Sequence, residues 1–218
     1  MTQSVLTPLL LSLKISVIAT AAAFIVGIFF SWWVAFNKNK LTQFFSIIIT
    51  IPLVIPPTVL GYYLLVVLGR NSPIGQWFEA VTGQTIIFTW QAAVIAAAIA
   101  ALPLLVRPIQ ASFESIDKDT MKAAELDGAS KFQLLRYIVI PLSYKGILAG
   151  LVLGFARAMG EFGATLMVAG NIPGRTQTLS IAIYDAVQAD RMMDAHMMVF
   201  ILTCATVVFL YLIHRWFK

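Results

Sequence analysis

The chain has 218 residues, 60% of them hydrophobic and only 11% charged, with a mean hydropathy of +0.87. Soluble domains carry about a quarter charged residues, so this composition excludes an ordinary water-soluble fold and points to bilayer-spanning segments. The formal charge of +5 and the pI near 9.5 follow from cations gathered on one membrane face, and no nucleic-acid partner is needed to explain them.

A span needs about 20 mostly apolar residues, and the first such run covers 9–35. Its apolar stretch continues through Ser31-Trp32-Trp33-Val34, beyond the length of a signal core, so it reads as retained in spite of the small residues Ala19 to Ala23. Lys14, near its outer end, is expected to snorkel to the interface. The second run, 44–68, contains Pro52 and then Ile55-Pro56-Pro57-Thr58. Proline removes amide donors, and backbone freed at membrane depth is tolerated only inside protein or beside a watery cavity. Pro56, Pro57 and Thr58 are therefore candidates for lining a pathway. Pro103 marks the third run, 85–106, as another helix able to bend.

Residues 107–145 depart from this pattern, holding 11 of the chain's 25 charged residues. The segment reads as two short helices: Asp117 caps the first, Gly128 ends it in a left-handed conformation, and Ser130 with Gln133 forms a capping box for the second. Phe132, Leu135 and Val139 are expected on one face, up to Pro141.

The fourth run, 147–169, is interrupted by Arg157 and Glu161, which lie four apart and can pair or face the protein interior. Gly146, Gly150, Gly154 and Ala158 form a small-residue stripe that lets a neighbouring helix come close. The segment 171–194 follows. After Thr178, a helix cap, Leu179, Ala182, Ile183, Ala186 and Val187 recur at helical spacing with Ser180, Asp185 and Gln188 opposite. It is too short to cross a bilayer and is expected in the outer interface or dipping into the protein. The run 196–216 completes five spans within a single transmembrane domain, 1–218. His196 and His214 sit at different depths, which disfavours a shared metal. Cys204 has no intrachain partner.

Five spans put the termini on opposite faces, and the cations orient them. With the amino terminus outside and the carboxyl terminus inside, Lys38, Lys40, Arg107, Lys118, Lys122, Lys131, Arg136, Lys145, Arg215 and Lys218 fall inside, against Arg70, Arg175 and Arg191 outside. The polar segment 107–145 thus projects into the cell.

Two motifs carry resemblances. Lys122-Ala123-Ala124, then Gly128, then Ile138-Val139-Ile140-Pro141 resembles the EAA loop of ABC-importer permeases: an acidic residue, two alanines, a glycine, and Ile-x-Leu-Pro nine residues on. Lys122 stands at the acidic position and Ile140 at the leucine, with Glu125 one turn away. The run ARAMGEFGATLMVAGNIPGRTQTL, Ala156 to Leu179, resembles the membrane subunits of molybdate importers. Sulfate permease subunits share its GEFGA and AGNIP elements, and Gly174-Arg175-Thr176-Gln177-Thr178 tilts the resemblance to molybdate.

These resemblances imply an all-α, polytopic type I ABC importer permease fold with cytoplasmic coupling helices, in a bacterial inner membrane. They imply a homodimer, two cytoplasmic ABC ATPase subunits and an extracytoplasmic molybdate-binding protein, with the lipid bilayer as solvent. The cargo implied is molybdate, with tungstate as a further candidate. Lys122, Ala123, Ala124, Glu125, Gly128, Ala129, Ser130 and Pro141 would form the ATPase-docking loop. Glu161, Phe162, Gly163, Asn171, Pro173, Thr176 and Thr178 join Pro56, Pro57 and Thr58 as pathway or gate candidates. No G-x-x-x-x-G-K-[ST] occurs, so the chain is expected to hold no cofactor and no catalytic site, with ATP and magnesium used by the partner ATPase. Neither Gly-x-Ser-x-Gly nor His-Glu-x-x-His is present. The alternatives are a sulfate/thiosulfate ABC importer permease and, from another class, an oligomeric passive anion channel, which would have no use for a motor-docking loop.

Overall fold

The computed structural model describes residues 2–37 and 39–216, without the side chains of 2–4, 118, 210, 212–214 and 216. Lys38 and Lys218, two of the cations assigned to the inner face, lie outside the described residues, as do the side chains of Lys118 and His214.

All regular secondary structure among the described residues is helical. It runs α1 (Thr2–Phe36), α2 (Lys40–Val54), α3 (Pro57–Leu68), α4 (Pro73–Thr82), α5 (Trp90–Glu114), α6 (Lys118–Leu126), α7 (Lys131–Leu134), a π-helical turn (Leu135–Val139), α8 (Ile140–Leu142), α9 (Tyr144–Met159), α10 (Gly163–Ala169), α11 (Leu179–Gln188) and α12 (Met192–Trp216). By length and composition three of these helices can cross a bilayer, or up to five spans exist if each sharply bent helix pair counts as one.

The centre of the bundle is α5, packed between α1 and α9. Ala92, Ala93, Ala96, Ala97, Ala100 and Ala101 are completely buried, and Leu105, Ile109 and Phe113 continue the buried face toward the charged end. Lipid removes most of the hydrophobic drive between helices, so close van der Waals contact must hold them, and small residues permit it. The glycine stripe of α9 is used in this way. A Cβ at Gly150 would lie 2.5 Å from the Leu105 carbonyl oxygen, and one at Gly146 2.2 Å from the Ser112 Cβ. Gly154 rests on the Leu105 side chain. The small-residue face expected from spacing alone is thus the α5–α9 seam.

Several expected spans differ from the helices found. The run 44–68 is two helices: α2 and α3 are bent by 116° about Ile55 and Pro56. Pro57 opens α3 at a position where its missing amide costs nothing. Residues 85–89 precede α5, which starts where the Thr89 hydroxyl accepts from the Ala92 amide. Phe88 there takes a left-handed φ of 61°. At its other end α5 runs to Glu114, so Arg107 and Gln110 are helical and not part of a loop. Pro103 and Pro108 both lie inside this helix without ending it. The run 147–169 is broken at Gly160–Phe162 into α9 and α10, and Glu161 therefore lies past the end of the helix that carries Arg157.

Candidate functional site

The polar segment forms a compact platform at one end of the bundle. Asp117 Oδ1 accepts from the Asp119 amide at 3.0 Å and starts α6. The helix ends in a Schellman-type turn: Gly128 has φ +86° and the Ala129 amide reaches back to the Ala124 carbonyl at 3.0 Å. No atom lies within 4 Å of the space a Gly128 Cβ would fill, so its backbone conformation alone calls for glycine. The capping box opens α7, with the Ser130 amide donating to Gln133 Oε1 at 2.7 Å and the Gln133 amide donating to Ser130 Oγ at 3.3 Å.

One expected face is different. The π-helical turn adds a residue to the helical repeat, so Leu134, Leu135 and Val139 are buried while Phe132 is 61% exposed. Leu126 at 88% and Tyr137 at 67% exposure stand on the same platform. Lys122, Ala123, Glu125, Gly128, Ser130 and Pro141 are exposed, and Ala124 and Ala129 half-buried. The platform then turns 79° into α9, hinged at the buried Ser143. Apolar side chains left open among charges are what a protein-docking surface requires.

The pathway candidates fall into two groups. In the first, α10 crosses α3 at close range: a Cβ on Gly163 would sit 3.0 Å from the Pro57 Cβ and 3.3 Å from the Thr58 amide nitrogen, and one on Gly61 would meet Met167 and Ala164. Pro56, Pro57 and Thr58 are exposed beside this crossing. The α9–α10 break is secured by Glu161, whose Oε1 accepts from the Ala164 amide at 2.8 Å. Its Oε2 faces the Arg157 guanidinium within ion-pair distance but without an aligned N–H bond, a pairing of charges by proximity. The Glu161 side chain is 1% exposed and that of Arg157 23%, so this carboxylate faces protein. Phe162, next to it, lies 5.2 Å from the Tyr184 ring.

The second group is the loop into α11. Thr176 Oγ1 accepts from the Ile172 amide at 3.1 Å and donates to the Gly170 carbonyl at 3.3 Å, folding the loop around itself. Thr178 Oγ1 caps α11 through the Ile181 amide. Asn171 donates to Asp185 at 3.1 Å and accepts from Gln177 at 2.8 Å, and Arg191 bonds Asp185 at 2.7 Å. Pro173 is exposed at the tip. α11 packs Leu179, Ala182 and Ala186 against Val5, Ala195 and Met198, whereas Val187, expected on that face, is 45% exposed.

Glu161 and Thr178 meet residues that spacing arguments did not single out. Together with Ser12, Ser16 and Thr165 they line one narrow cleft. Ser12 Oγ accepts from the Leu179 amide at 2.7 Å, tying α1 to α11, and Ser16 and Thr20 donate to carbonyls one turn back. The signal was present: Ser12, Ser16 and Thr20 recur every four residues in an apolar helix. Lys14 sits with its ammonium 3.8 Å from the Trp90 ring centroid, a cation–π contact.

Residues 23–218 match the model of the family described as binding-protein-dependent transport system inner membrane component. A molybdenum transport system permease protein, ModB, of Haemophilus influenzae is 43% identical over 182 residues, 82% of this chain and 78% of that protein. ModB of Escherichia coli K12 is 41% identical over 179 residues, again covering 82% and 78%. Among solved structures, a chain of the MetNI methionine ABC transporter, in an inward-facing crystal form, superposes with a TM-score of 0.73 over 99% of this chain and 95% of that one, at 16% identity.

Proposed function

The chain belongs to the binding-protein-dependent transport system inner membrane components, and from that premise we propose that it is the membrane-spanning subunit of an ATP-driven importer of molybdate. The observation that carries the cargo is identity above 40% to two permeases named for molybdenum transport, across more than four-fifths of this chain. Tungstate, of the same charge and shape, is the further candidate cargo.

Two copies form the pore, a periplasmic binding protein delivers the anion, and two ATPase subunits grip residues 107–145 from the cytoplasm. The open apolar residues Leu126, Phe132 and Tyr137 support that surface as the grip. ATP and magnesium belong to the motor; this chain's part is to transmit its movement. The 79° turn at Ser143 passes displacement of α6–α8 into α9, and the glycine seam passes it to α5. The crossing of α10 over α3 at Gly163 and Pro57 lies beyond the break that Glu161 holds, where two arrangements of the bundle can differ by rotation about irregular backbone. The amino terminus lies outside, by the distribution of cations. Selectivity rests mainly with the binding protein, since a dianion held tightly in the pore would not leave.

Uptake into proteoliposomes carrying the permease, the ATPase and the binding protein tests this. ATP-dependent accumulation of molybdate in preference to sulfate is expected. Equal or reversed preference moves the chain to the sulfate importers, and uptake indifferent to ATP moves it to passive channels.

A further inference from the structure

The geometry points to a weak tetrahedral-oxyanion site at Arg107, Ser46 and Thr50, a waypoint for the cargo near the charged end of the bundle. The proposal rests on the importer reading. Arg107 Nη1 donates to Ser46 Oγ at 3.2 Å, while Nη2 donates to the Ser46 carbonyl at 3.4 Å and to Thr50 Oγ1. Ser46 and Thr50 are one turn apart on α2, and Arg107 reaches them from α5.

Three features distinguish this cation from the others within long apolar helices. Lys14 lies over Trp90 and Arg157 faces Glu161, but among the described residues no carboxylate is within ion-pair distance of Arg107. Its depth is the second. Thr50 lies ten residues along α2 from Lys40, about 15 Å at the helical rise, and Arg107 about 25 Å along α5 from Trp90. With α2 and α5 set along the bilayer normal, these lengths put the guanidinium below the headgroup level, and Arg107 is exposed on the chain. An arginine at such depth faces water or protein, not acyl chains. The α2–α3 break, just beyond Thr50, makes the same demand.

The third feature is the set of donors left over. Of the five guanidinium N–H groups, three are used, leaving Nε–H and one Nη1–H. The Thr50 hydroxyl spends its hydrogen on the Ser46 carbonyl, whereas among the described residues the Ser46 hydroxyl accepts from Arg107 and donates to no partner. Nε–H and the free Nη1–H point about 120° apart in the guanidinium plane, so Nη1–H and the neighbouring Ser46 hydroxyl are the two donors that can meet one edge of a tetrahedral dianion beside the fixed charge. That charge neutralises only half of the dianion's, which lets it leave. A lipid phosphate has the same chemistry, and depth favours an ion arriving through water.

The whole transport complex, in liposomes of zwitterionic lipid, provides the test. Ser46→Cys in a Cys204→Ser background places a reactive thiol beside the guanidinium. Molybdate should slow its modification by a small water-soluble thiol reagent about threefold or more, by occupying the site. Arg107→Gln should abolish that protection. An unreactive thiol, protection by added anionic phospholipid but not by molybdate, or modification indifferent to molybdate each overturns the site. Independently, molybdate imported per ATP hydrolysed should fall about tenfold in Arg107→Gln and stay within about threefold in Arg107→Lys. A mere tether between α2 and α5 would lower hydrolysis and import together, and an unchanged ratio overturns the proposal. Should the wild-type complex import sulfate in place of molybdate, the cargo assignment falls by itself, and protection by sulfate then decides the site.

Discussion

Helices α1, α5 and α9 bury alanine and glycine against one another, whereas α6 to α8 turn Leu126, Phe132 and Tyr137 outward. The first region has its partners within the chain, and its side chains are small because backbone must approach backbone. The second is held by caps and a glycine turn and leaves its large side chains unsatisfied. On the proposed reading the first region is the spine of a lever and the second its handle, and the contrast between them makes separable predictions. Damage to the spine should appear in the permease alone, and damage to the handle should appear in its complex with the motor.

The largest effect is expected from Gly150→Leu, which drives a side chain into the Leu105 carbonyl. It should cost at least the ~3 kcal/mol upper end of ordinary overpacking and abolish the monodisperse peak of the detergent-purified permease. A normal melting temperature would show that the spine is looser than described. Next is Arg157→Ala, which strands the enclosed Glu161 carboxylate at a cost of about 3 kcal/mol, read as a lower Tm. Arg157→Met with Glu161→Gln should recover most of that loss, because no charge is then buried and the amide oxygen can still accept from Ala164. A double variant as unstable as the single one would mean that the pair does more than neutralise itself.

Handle substitutions should be milder and differently read. Gly128→Val forces a β-branched residue to φ +86°, about 1–2 kcal/mol of local strain. Permease Tm should hold while ATPase co-purification falls severalfold. Ser130→Ala removes the cap on α7, about 1 kcal/mol, with a smaller loss of co-purification. If either variant melts the permease as strongly as Arg157→Ala, spine and handle are one cooperative unit.

Features whose causes are local were legible in the sequence. The Asp117 cap, the Gly128 turn, the Ser130–Gln133 box and the Thr178 cap each depend on residues within five positions. The glycine stripe was legible too, although not its partner α5. What was hidden depends on packing. Prolines at 52, 56 and 57 announced a break but not a 116° bend, and Pro103, which marked a helix able to bend, lies inside one uninterrupted α5. The π-helical turn exchanged Phe132 for Leu134 on the buried face, and nothing in that stretch's periodicity marks an added residue. Arg107 read as a loop cation because apolar composition ends near it; packing of Ile109 and Phe113 carries the helix onward. Ser12 gained its role only when α11 folded back to offer the Leu179 amide.

The proposed function requires the handle to face the cytoplasm and to meet the motor there. Ala129→Cys, in a Cys204→Ser chain, can be challenged with a membrane-impermeant maleimide on intact cells, on opened membranes, and on opened membranes with the ATPase bound. No labelling of intact cells, rapid labelling once the cytoplasmic face is open, and shielding by the ATPase are expected. Labelling of intact cells would contradict the proposed function.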